Sequence, residues 1–330
     1  MSDHQDVPSA QALERKLNAA RRILDQLRTA ASPMPRLDDL AKERCPVCGP
    51  ADAAGRSDLA VCRYPAFRSP LFAGRLLCQC QSCGLAWIPG EEVDLDAFYR
   101  ADYAKSFAQQ RLFKGPFYGP DNPLWQRPPS QPLKRARAHA AGLARFGPFE
   151  RVFDLGAGVG YFLNAIEAAE KHGMELDPYA ARILTEELGV QLSQIGEHTA
   201  RFDLLMASHV LEHFTQTTLP VILTEIFAAL KPGGHFFVEV PAGALQLTDF
   251  ALGKRAPTQR LEPHTLFFSS YALHKLIRAA GFDIKEATVC GWSTAQIPAA
   301  ERDAVYGGIE PKLAAAHGFI LTVLAERPTV

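Results

Sequence analysis

The chain has 330 residues, a formal net charge of −1 and 47% hydrophobic residues, enough for one large or two modest domains with a sizeable core. The near-neutral charge gives no general attraction to nucleic acid, so a nucleic-acid partner is not expected. No apolar run has the length of a membrane span, and the first residues do not have the pattern of a signal peptide. We therefore expect a cytoplasmic protein.

Residues 1–40 predict an amphipathic helix at the start of the chain. Its leucines recur at helical spacing, at Leu13, Leu17, Leu24 and Leu27. Basic residues occupy the opposite face. One interpretation is a helix that packs on its own protein. The other is a contact that joins copies of the chain into a homo-oligomer or binds another partner.

Residues 41–90 contain two C-x-x-C-G knuckles, Cys45 to Gly49 and Cys80 to Gly84. This pattern predicts a small four-cysteine zinc ribbon with Cys45, Cys48, Cys80 and Cys83 as ligands, although the 31 residues between the two pairs exceed the usual loop. A disulfide interpretation is disfavoured in the cytoplasm. Because four thiolates leave no open coordination position, the expected Zn²⁺ is structural. Cys78 competes with Cys80 for the fourth position, and the knuckle form favours Cys80.

Residues 91–147 are predicted to link the ribbon to the second half of the chain. The stretch 104–133 is rich in proline and glycine, with interleaved aromatic residues. We interpret it as an ordered lid over a pocket, with a disordered linker as the alternative. Leu133–Phe146 then reads as a basic helix that leads into the core, residues 148–330.

The sequence RVFDLGAGVG, residues 151–160, predicts a buried strand, Arg151–Leu155, that enters a glycine-rich turn. A helix, Val159–Ala169, is expected to follow and to direct its free N–H groups at a ligand. Glycine suits such a turn because some of its positions require φ > 0 and because a β-carbon would keep the backbone away from a ligand. The pattern D-x-G-x-G-x-G is formed by Asp154, Gly156, Gly158 and Gly160.

An acidic residue follows at the end of the next predicted strand, Lys171–Leu176. Glu175 lies 19 residues after Gly156, where an acidic side chain would meet ribose hydroxyls. The turn is not the G-x-G-x-x-G of nicotinamide enzymes, and Asp154 would repel a pyrophosphate but suits an ammonium group. S-adenosylmethionine has ribose hydroxyls, an ammonium group and no phosphate. The sequence therefore predicts an S-adenosylmethionine site.

Strands and helices alternate through the rest of the core, which predicts a doubly wound α/β sheet. Predicted helices are Pro178–Leu188, Leu219–Leu230 and Ser269–Ala280, and predicted strands are Phe202–Ala207, His235–Val240, Phe282–Cys290 and Gly318–Glu326.

Four blocks resemble class I S-adenosylmethionine-dependent methyltransferases in order and spacing. They are FDLGAGVGYFL (153–163), GMELDP (173–178), FDLLMASHVLEHF (202–214) and LKPGGHFFVEVP (230–241). The resemblance implies a Rossmann-like seven-stranded sheet of order 3-2-1-4-5-7-6 with an antiparallel last strand. It also implies an enzyme that transfers a methyl group to an acceptor.

The same resemblance implies which residues bind the cofactor. Asp154 and the turn, including Ala157, would hold the methionine part, and Glu175 would hold the ribose. Leu176 would line the nucleoside pocket. Ser208 and His209, after the fourth strand, would border the sulfonium and the acceptor.

A subgroup of this family is similar over a longer stretch, because a zinc ribbon followed by a segment like CGLAWIPGEEVDLDAFYRADY (83–103) precedes its core. Sugar C-methyltransferases are its best understood members, so a small-molecule acceptor is implied, with sugars and sugar nucleotides among the candidates. Their segment E-H-x-x-x-F-S aligns with His264 and Phe268-Ser269, although Pro263 replaces the glutamate.

Methyl transfer requires alignment of the nucleophile with the methyl group and often removal of a proton. His264 and His209 are the candidate bases, because a free histidine has a pKa near 6.5. Glu212 and His213 form an L-E-H segment common in the family, which favours a structural role. Two other classes stay open: an RNA methyltransferase whose ribbon contacts RNA, and a catalytically inert, S-adenosylmethionine-binding regulatory protein.

Overall fold

The computed structural model describes residues 44–49, 59–63, 72, 75–89, 95, 99–100, 131–243, 264–290 and 320–329. The predicted N-terminal helix and nearly all of the predicted lid lie outside these residues. The homo-oligomer contact through residues 1–40 therefore stays a prediction. Among the residues that the structure describes, none of the helices is both long and apolar enough to cross a membrane.

The first part of the chain forms three antiparallel strands. They are β1 (Leu59–Arg63), β2 (Leu76–Cys80) and β3 (Ala86–Trp87). The second cysteine knuckle lies where β2 ends and the chain turns into β3. This turn brings Cys80 and Cys83 close together.

The core follows as alternating helices and strands. In chain order these are α1 (Gln131–Leu143), β4 (Phe149–Leu155), α2 (Tyr161–Ala165), β5 (Ala168–Met174), α3 (Pro178–Leu188), β6 (Gln191–Leu192), β7 (Phe202–Ser208), α4 (Thr218–Ala229), β8 (Leu230–Pro241), β9 (Leu266–Phe267), α5 (Ser270–Ala279), β10 (Asp283–Cys290) and β11 (Ile320–Glu326).

Seven of these strands form one sheet in the order β10-β11-β8-β7-β4-β5-β6. Strands β8, β7, β4, β5 and β6 run parallel, whereas β11 runs antiparallel to both of its neighbours. Taken from β6, this is the predicted order 3-2-1-4-5-7-6 with an antiparallel last strand. The prediction of a doubly wound methyltransferase sheet is confirmed.

Side chains on the central strands alternate between two apolar layers, as a strand period of two requires. On β7, Leu204 and Met206 pack in the layer that contains α1 and α3. Leu205 and Ala207 pack in the opposite layer, with α4 and α5. Helices therefore cover both faces of the sheet, and the carboxyl edge of the parallel strands is left to form a site.

The predicted helix Val159–Ala169 is wrong in length. Helix α2 has only five residues, and Ala168 already belongs to β5. The reason is tertiary: Ala168 pairs with Phe149 of β4, and this strand pairing overrides the helical preference of an alanine-rich segment. A single turn of helix contributes little macrodipole, so a ligand here depends on the glycine turn and its neighbouring carboxylates.

Local signals fix other boundaries as predicted. Helix α3 begins with Pro178, and the Asp177 side chain accepts a hydrogen bond from the Tyr179 N–H. Helix α5 is capped by Ser269, whose hydroxyl accepts from the Ala272 N–H at 2.9 Å.

A strand from the second half of the chain completes the sheet of the first. Strand β9 pairs antiparallel with β3, giving a four-stranded sheet of order β1-β2-β3-β9. The backbone N–H of Ile88 also donates to the Thr265 carbonyl at 3.1 Å. The predicted ribbon is thus joined to the core through the segment that carries His264.

Candidate active site and four-cysteine cluster

The glycine turn after β4 adopts the conformation that its sequence predicts. Gly156, Gly158 and Gly160 have φ of +65°, +54° and +78°. A β-carbon at Gly160 would lie 2.4 Å from Leu188 Cδ1, and one at Gly156 would lie 2.5 Å from Val210 Cγ2. A β-carbon at Gly158 would meet nothing within 4 Å. The middle of the turn therefore faces open space.

Glu175 links this turn to the end of β5. Its Oε2 accepts a hydrogen bond from the Gly158 N–H at 2.6 Å, and its Oε1 accepts from the N–H groups of Leu176 and Asp177 at 2.8 Å. The Ala157 N–H donates to the Met174 carbonyl at 3.0 Å. The turn is thereby folded back on the acidic residue that was predicted to bind ribose.

Two neighbouring carboxyl groups, those of Asp154 and Glu175, lie at this edge. Asp154 is 4% exposed. Its burial and the nearby charge of Glu175 raise the pKa of Asp154 well above its usual range. Burial also raises the pKa of Glu175, against the effect of its three backbone hydrogen bonds. Such a pair favours a ligand that brings positive charge and disfavours a pyrophosphate, so the residues fit S-adenosylmethionine.

The other predicted site residues meet at the same edge. Ser208 ends β7, next to Glu239 of β8. Leu176 follows Glu175 and is half-buried. Since the ends of β4, β5, β7 and β8 are neighbours in the sheet, the structure brings the predicted cofactor and acceptor residues to one side of it.

His209 has an unusual backbone conformation and a raised pKa. Its φ is +57°, a left-handed conformation that is uncommon for residues other than glycine. Its Nδ1 lies 3.4 Å from Glu212 Oε1, and its Nε2 lies 3.3 Å from Glu239 Oε1. Burial opposes protonation, but the two carboxylates outweigh it and raise the pKa of His209 to about 9. His209 is therefore cationic near neutral pH.

Glu239 is a central residue that the sequence interpretation missed. It is fully buried in β8. Its carboxylate accepts from Ser208 Oγ at 2.8 Å, lies 2.7 Å from His139 Nε2, and forms an ion pair with Arg135 at 3.3 Å. Burial would raise its pKa, but His139 and His209 hold the pKa well below its usual range. A lone acidic residue within the apolar run HFFVEVP was the signal that could have revealed it.

His264 lies beside two residues that the sequence interpretation treated as structural. One ligand atom from each of Glu212, His213 and His264 can be chosen so that all three lie within 4.8 Å of one another. Glu212 is 1% exposed, and its carboxylate oxygens make no hydrogen bond within the described parts of the chain. The Tyr99 hydroxyl forms a hydrogen bond with His213 Nδ1 at 2.8 Å.

The four predicted metal ligands converge in the ribbon. The Sγ atoms of Cys45, Cys48, Cys80 and Cys83 all lie within 4.8 Å of one another. Cys78 is buried on β2 opposite Trp87 and is not in this group. The structure thus groups Cys80, the residue favoured by the knuckle form, with the other three.

The thiols of this cluster are electrostatically coupled. The hydrogen bond between Cys45 and Cys83, with a 3.5 Å separation of the sulfur atoms, lowers the pKa of Cys45 to about 5 and raises the pKa of Cys83. Gly49 and Gly84 have φ of +68° and +75°, and their N–H groups donate to the carbonyls of Cys45 and Cys80. Both knuckles therefore have the same local turn.

The sheet and the site define an α/β protein that binds its ligand at the carboxyl edge of parallel strands. Residues 130–287 match the family described as "Methyltransferase domain". This match supports a methyltransferase domain in this part of the chain, and the protein is an enzyme. No curated protein matches the chain.

Solved structures of methyltransferases are similar at low identity. The 1,6-didemethyltoxoflavin-N1-methyltransferase of Burkholderia thailandensis is 20% identical, with 74% of this chain and 96% of that chain covered and a TM-score of 0.44. The N-methyltransferase NodS of Bradyrhizobium japonicum is 12% identical, with coverages of 68% and 97% and a TM-score of 0.44.

A methyltransferase of Archaeoglobus fulgidus is 18% identical, with coverages of 59% and 94% and a TM-score of 0.43. These likenesses are too low for any substrate to be transferred to this chain.

Proposed function

We propose that the protein transfers a methyl group from S-adenosylmethionine to a small polar acceptor at the carboxyl edge of β7 and β8. The observation that carries this proposal is the acidic pair of buried Asp154 and half-buried Glu175 beside the open glycine turn. When bound, the cofactor supplies an electrophilic methyl group on a sulfonium. The chain's own residues bind the cofactor, orient the acceptor and control its proton.

In this proposal, Asp154 and the turn residues Gly156, Ala157 and Gly158 hold the methionine part. Burial favours the protonated, neutral form of Asp154, and the positive charge of the ligand would favour the carboxylate instead. Glu175 holds the ribose. A carboxylate has about four lone-pair sites, and backbone N–H groups use three of them, so Glu175 can accept a ribose hydroxyl with the remaining site while it still orders the turn.

The acceptor is proposed to lie against Ser208 and His209, both of which contact the fully buried Glu239. These side chains form a polar wall in which a cationic imidazole stands between carboxylates. A wall of donors and acceptors favours a polar ligand that can satisfy them, since buried unpaired polar groups are costly. Sugars and sugar nucleotides are acceptor classes that meet this requirement.

We propose that loss of the acceptor proton depends on His264 and not on His209. A histidine that already carries a proton near neutral pH cannot accept a second one, and the pKa of His209 is about 9. His264 is buried, and its segment is fixed by the hydrogen bond from the Thr265 N–H to the Glu212 carbonyl at 2.9 Å.

We also propose that the four-cysteine cluster holds one structural Zn²⁺. Tetrahedral coordination at about 2.3 Å separates the sulfur atoms by about 3.8 Å. The observed 3.5 Å between Cys45 and Cys83, and the 4.8 Å limit for all four, support this geometry. Lys275 Nζ lies 3.4 Å from Cys48 Sγ, where it would offset the negative charge of the thiolates.

Isothermal calorimetry with S-adenosylhomocysteine tests the cofactor assignment. Glu175→Ala should weaken binding by roughly 1–3 kcal/mol, the cost of losing hydrogen bonds to a charged group. Glu186→Ala, on the solvent-exposed side of α3, is the matched control and should bind like the wild type. Equal affinities for the two variants would exclude Glu175 from the cofactor site.

A further inference from the structure

The most unusual polar group in the described residues is the Glu212 carboxylate. It is 1% exposed, and neither oxygen has a hydrogen-bond partner among these residues. Its contact with His209 at 3.4 Å is an ion pair that lacks hydrogen-bond geometry. Burial of a carboxylate without hydrogen bonds is costly, and the cationic His209 lies near only one of the two oxygens, so this site can take a further charged partner that binds oxygen directly.

Two imidazoles border this carboxylate. His213 Nε2 lies 4.0 Å from Glu212 Oε1, and the ring centroids of His213 and His264 are 4.9 Å apart. A metal ion bound at about 2.0–2.2 Å from each ligand atom separates ligand atoms by up to about 4.3 Å. The 4.8 Å limit of this group is therefore close to coordination distances.

The surroundings of the two histidines suit metal ligation. The Tyr99 hydroxyl bonds His213 Nδ1 at 2.8 Å, so Nε2 is the ring nitrogen that can act as a metal ligand. Such a hydrogen bond on the second ring nitrogen is the usual support of a metal-bound histidine. His264 is positioned through Thr265, whose N–H donates to the Glu212 carbonyl. Neighbouring structure thus holds the His213 ring and the backbone beside His264 and Glu212.

We propose that Glu212, His213 and His264 form a binding site for a divalent transition-metal ion, separate from the four-cysteine cluster. Two imidazoles and one carboxylate are a ligand set for such ions and leave coordination positions open for a further oxygen ligand. His264 then acts as a metal ligand, and an acceptor oxygen on the ion would lose its proton more readily.

Titration of the zinc-loaded full-length protein with Mn²⁺ tests the site. Mn²⁺ is the weakest competitor for thiolate-bound zinc, so the ribbon keeps its own metal. Electron paramagnetic resonance measures free Mn²⁺, and Co²⁺ absorption provides a second readout. We expect about one ion per chain in addition to the ribbon zinc. Wild-type protein that binds neither ion would overturn the proposal.

Variants locate the bound ion. Tyr99→Phe should weaken Mn²⁺ binding about 10- to 100-fold, as expected for loss of a hydrogen bond to a ligating histidine. Glu212→Gln and His264→Gln should weaken it further. His274→Gln on α5 is the matched histidine control and should bind one Mn²⁺.

Asp154→Asn tests whether Mn²⁺ binds instead in the cofactor pocket, to the carboxyl groups of Asp154 and Glu175. It should keep the bound Mn²⁺. Loss in Asp154→Asn together with retention in Glu212→Gln would refute the proposed site. Calorimetry with S-adenosylhomocysteine is measured on the Tyr99→Phe, Glu212→Gln and His264→Gln samples, because retained cofactor binding shows an intact fold and keeps failure of the metal site distinct from failure of the methyltransferase assignment. Circular dichroism shows the fold of Asp154→Asn, whose cofactor binding should itself weaken.

Discussion

Asp154 combines a destabilising environment with a proposed role in binding. Its burial and the charge of Glu175 raise its pKa, so the folded protein resists the ionised form that the unfolded chain adopts readily. A group whose folded pKa is raised adds stability only at low pH, and that stability is lost as the pH rises. A cationic ligand reverses this preference, because it favours the carboxylate.

Replacement of Asp154 by asparagine should therefore separate stability from binding. Asp154→Asn removes the buried ionisable group but keeps its shape, so the ligand-free variant should unfold at a higher temperature than the wild type at pH 8. Its affinity for S-adenosylmethionine should fall by roughly 1–3 kcal/mol. Differential scanning calorimetry and titration calorimetry measure the two effects.

The pH dependence of the wild type provides a control. Cofactor binding should weaken as the pH falls through the raised pKa of Asp154, and this dependence should be smaller in Asp154→Asn. Equal binding by the two proteins across the pH range would place Asp154 outside the cofactor site.

Among single residues, the sequence predicted those whose partners lie close by in the chain. The aspartate, the glycines and Glu175 form a pattern within one strand-turn-helix-strand unit, and the turn conformation is confirmed. Glu239 and Tyr99 could not be assigned in this way. Glu239 contacts Ser208 and His139, and Tyr99 contacts His213. These partners are distant in the sequence, and only the folded chain brings them together.

At the scale of elements, the glycine turn joins two strands through a helix of only five residues. Because this helix is so short, the turn is held mainly by its close packing against α3. A β-carbon at Gly160 would lie 2.4 Å from Leu188 Cδ1 and 2.8 Å from Leu184 Cδ2, both on α3. The turn is thus pressed against α3 on one side and open at Gly158 on the other.

Two alanine substitutions should show this difference. Gly158→Ala has the cost of a left-handed conformation alone, about 1–2 kcal/mol. Gly160→Ala should cost about 1–3 kcal/mol more, because its methyl group also overpacks the contact with α3. Urea unfolding measures both free energies. Equal losses of stability would show that packing against α3 does not require glycine at position 160.

The positions of the strands were more predictable than the length of helix α2. Apolar runs such as Phe202–Ala207 show buried strands directly, and caps such as Asp177 fix helix starts. The end of α2 depends instead on where β5 begins to pair with β4. That register is a tertiary property, and alanine-rich sequence favours the helix that the structure does not have.

At the scale of the whole molecule, the four-cysteine cluster and the methyltransferase core share one apolar layer. Cys45, Cys80 and Cys83 pack in the same cluster of buried residues as α4 and α5. Three polar links add to this: β3 pairs with β9, the Ser269 hydroxyl donates to the Cys83 carbonyl, and Lys275 reaches Cys48. The sequence suggested a separate ribbon because its cysteines lie far from the core in the chain.

This shared layer changes the expected effect of metal loss. A ribbon that folded on its own would unfold alone, and the core would melt at its usual temperature. Here β9 pairs with β3 of the ribbon, and the proposed site residue His264 lies just before β9 in the chain. Loss of the zinc should therefore loosen the His264 segment and lower the stability of the core as well.

Cys83→Ser tests this coupling, with Cys78→Ser as the matched control because Cys78 is an equally buried neighbour outside the cluster. Cys83→Ser should lose the bound zinc and show one thermal transition at a markedly lower temperature than the wild type. Cys78→Ser should keep about one zinc per chain. Elemental analysis and scanning calorimetry provide the measurements. Two separate transitions in Cys83→Ser, with the upper one at the wild-type temperature, would mean that the core does not depend on the metal; loss of zinc in Cys78→Ser alone would place Cys78 among the ligands.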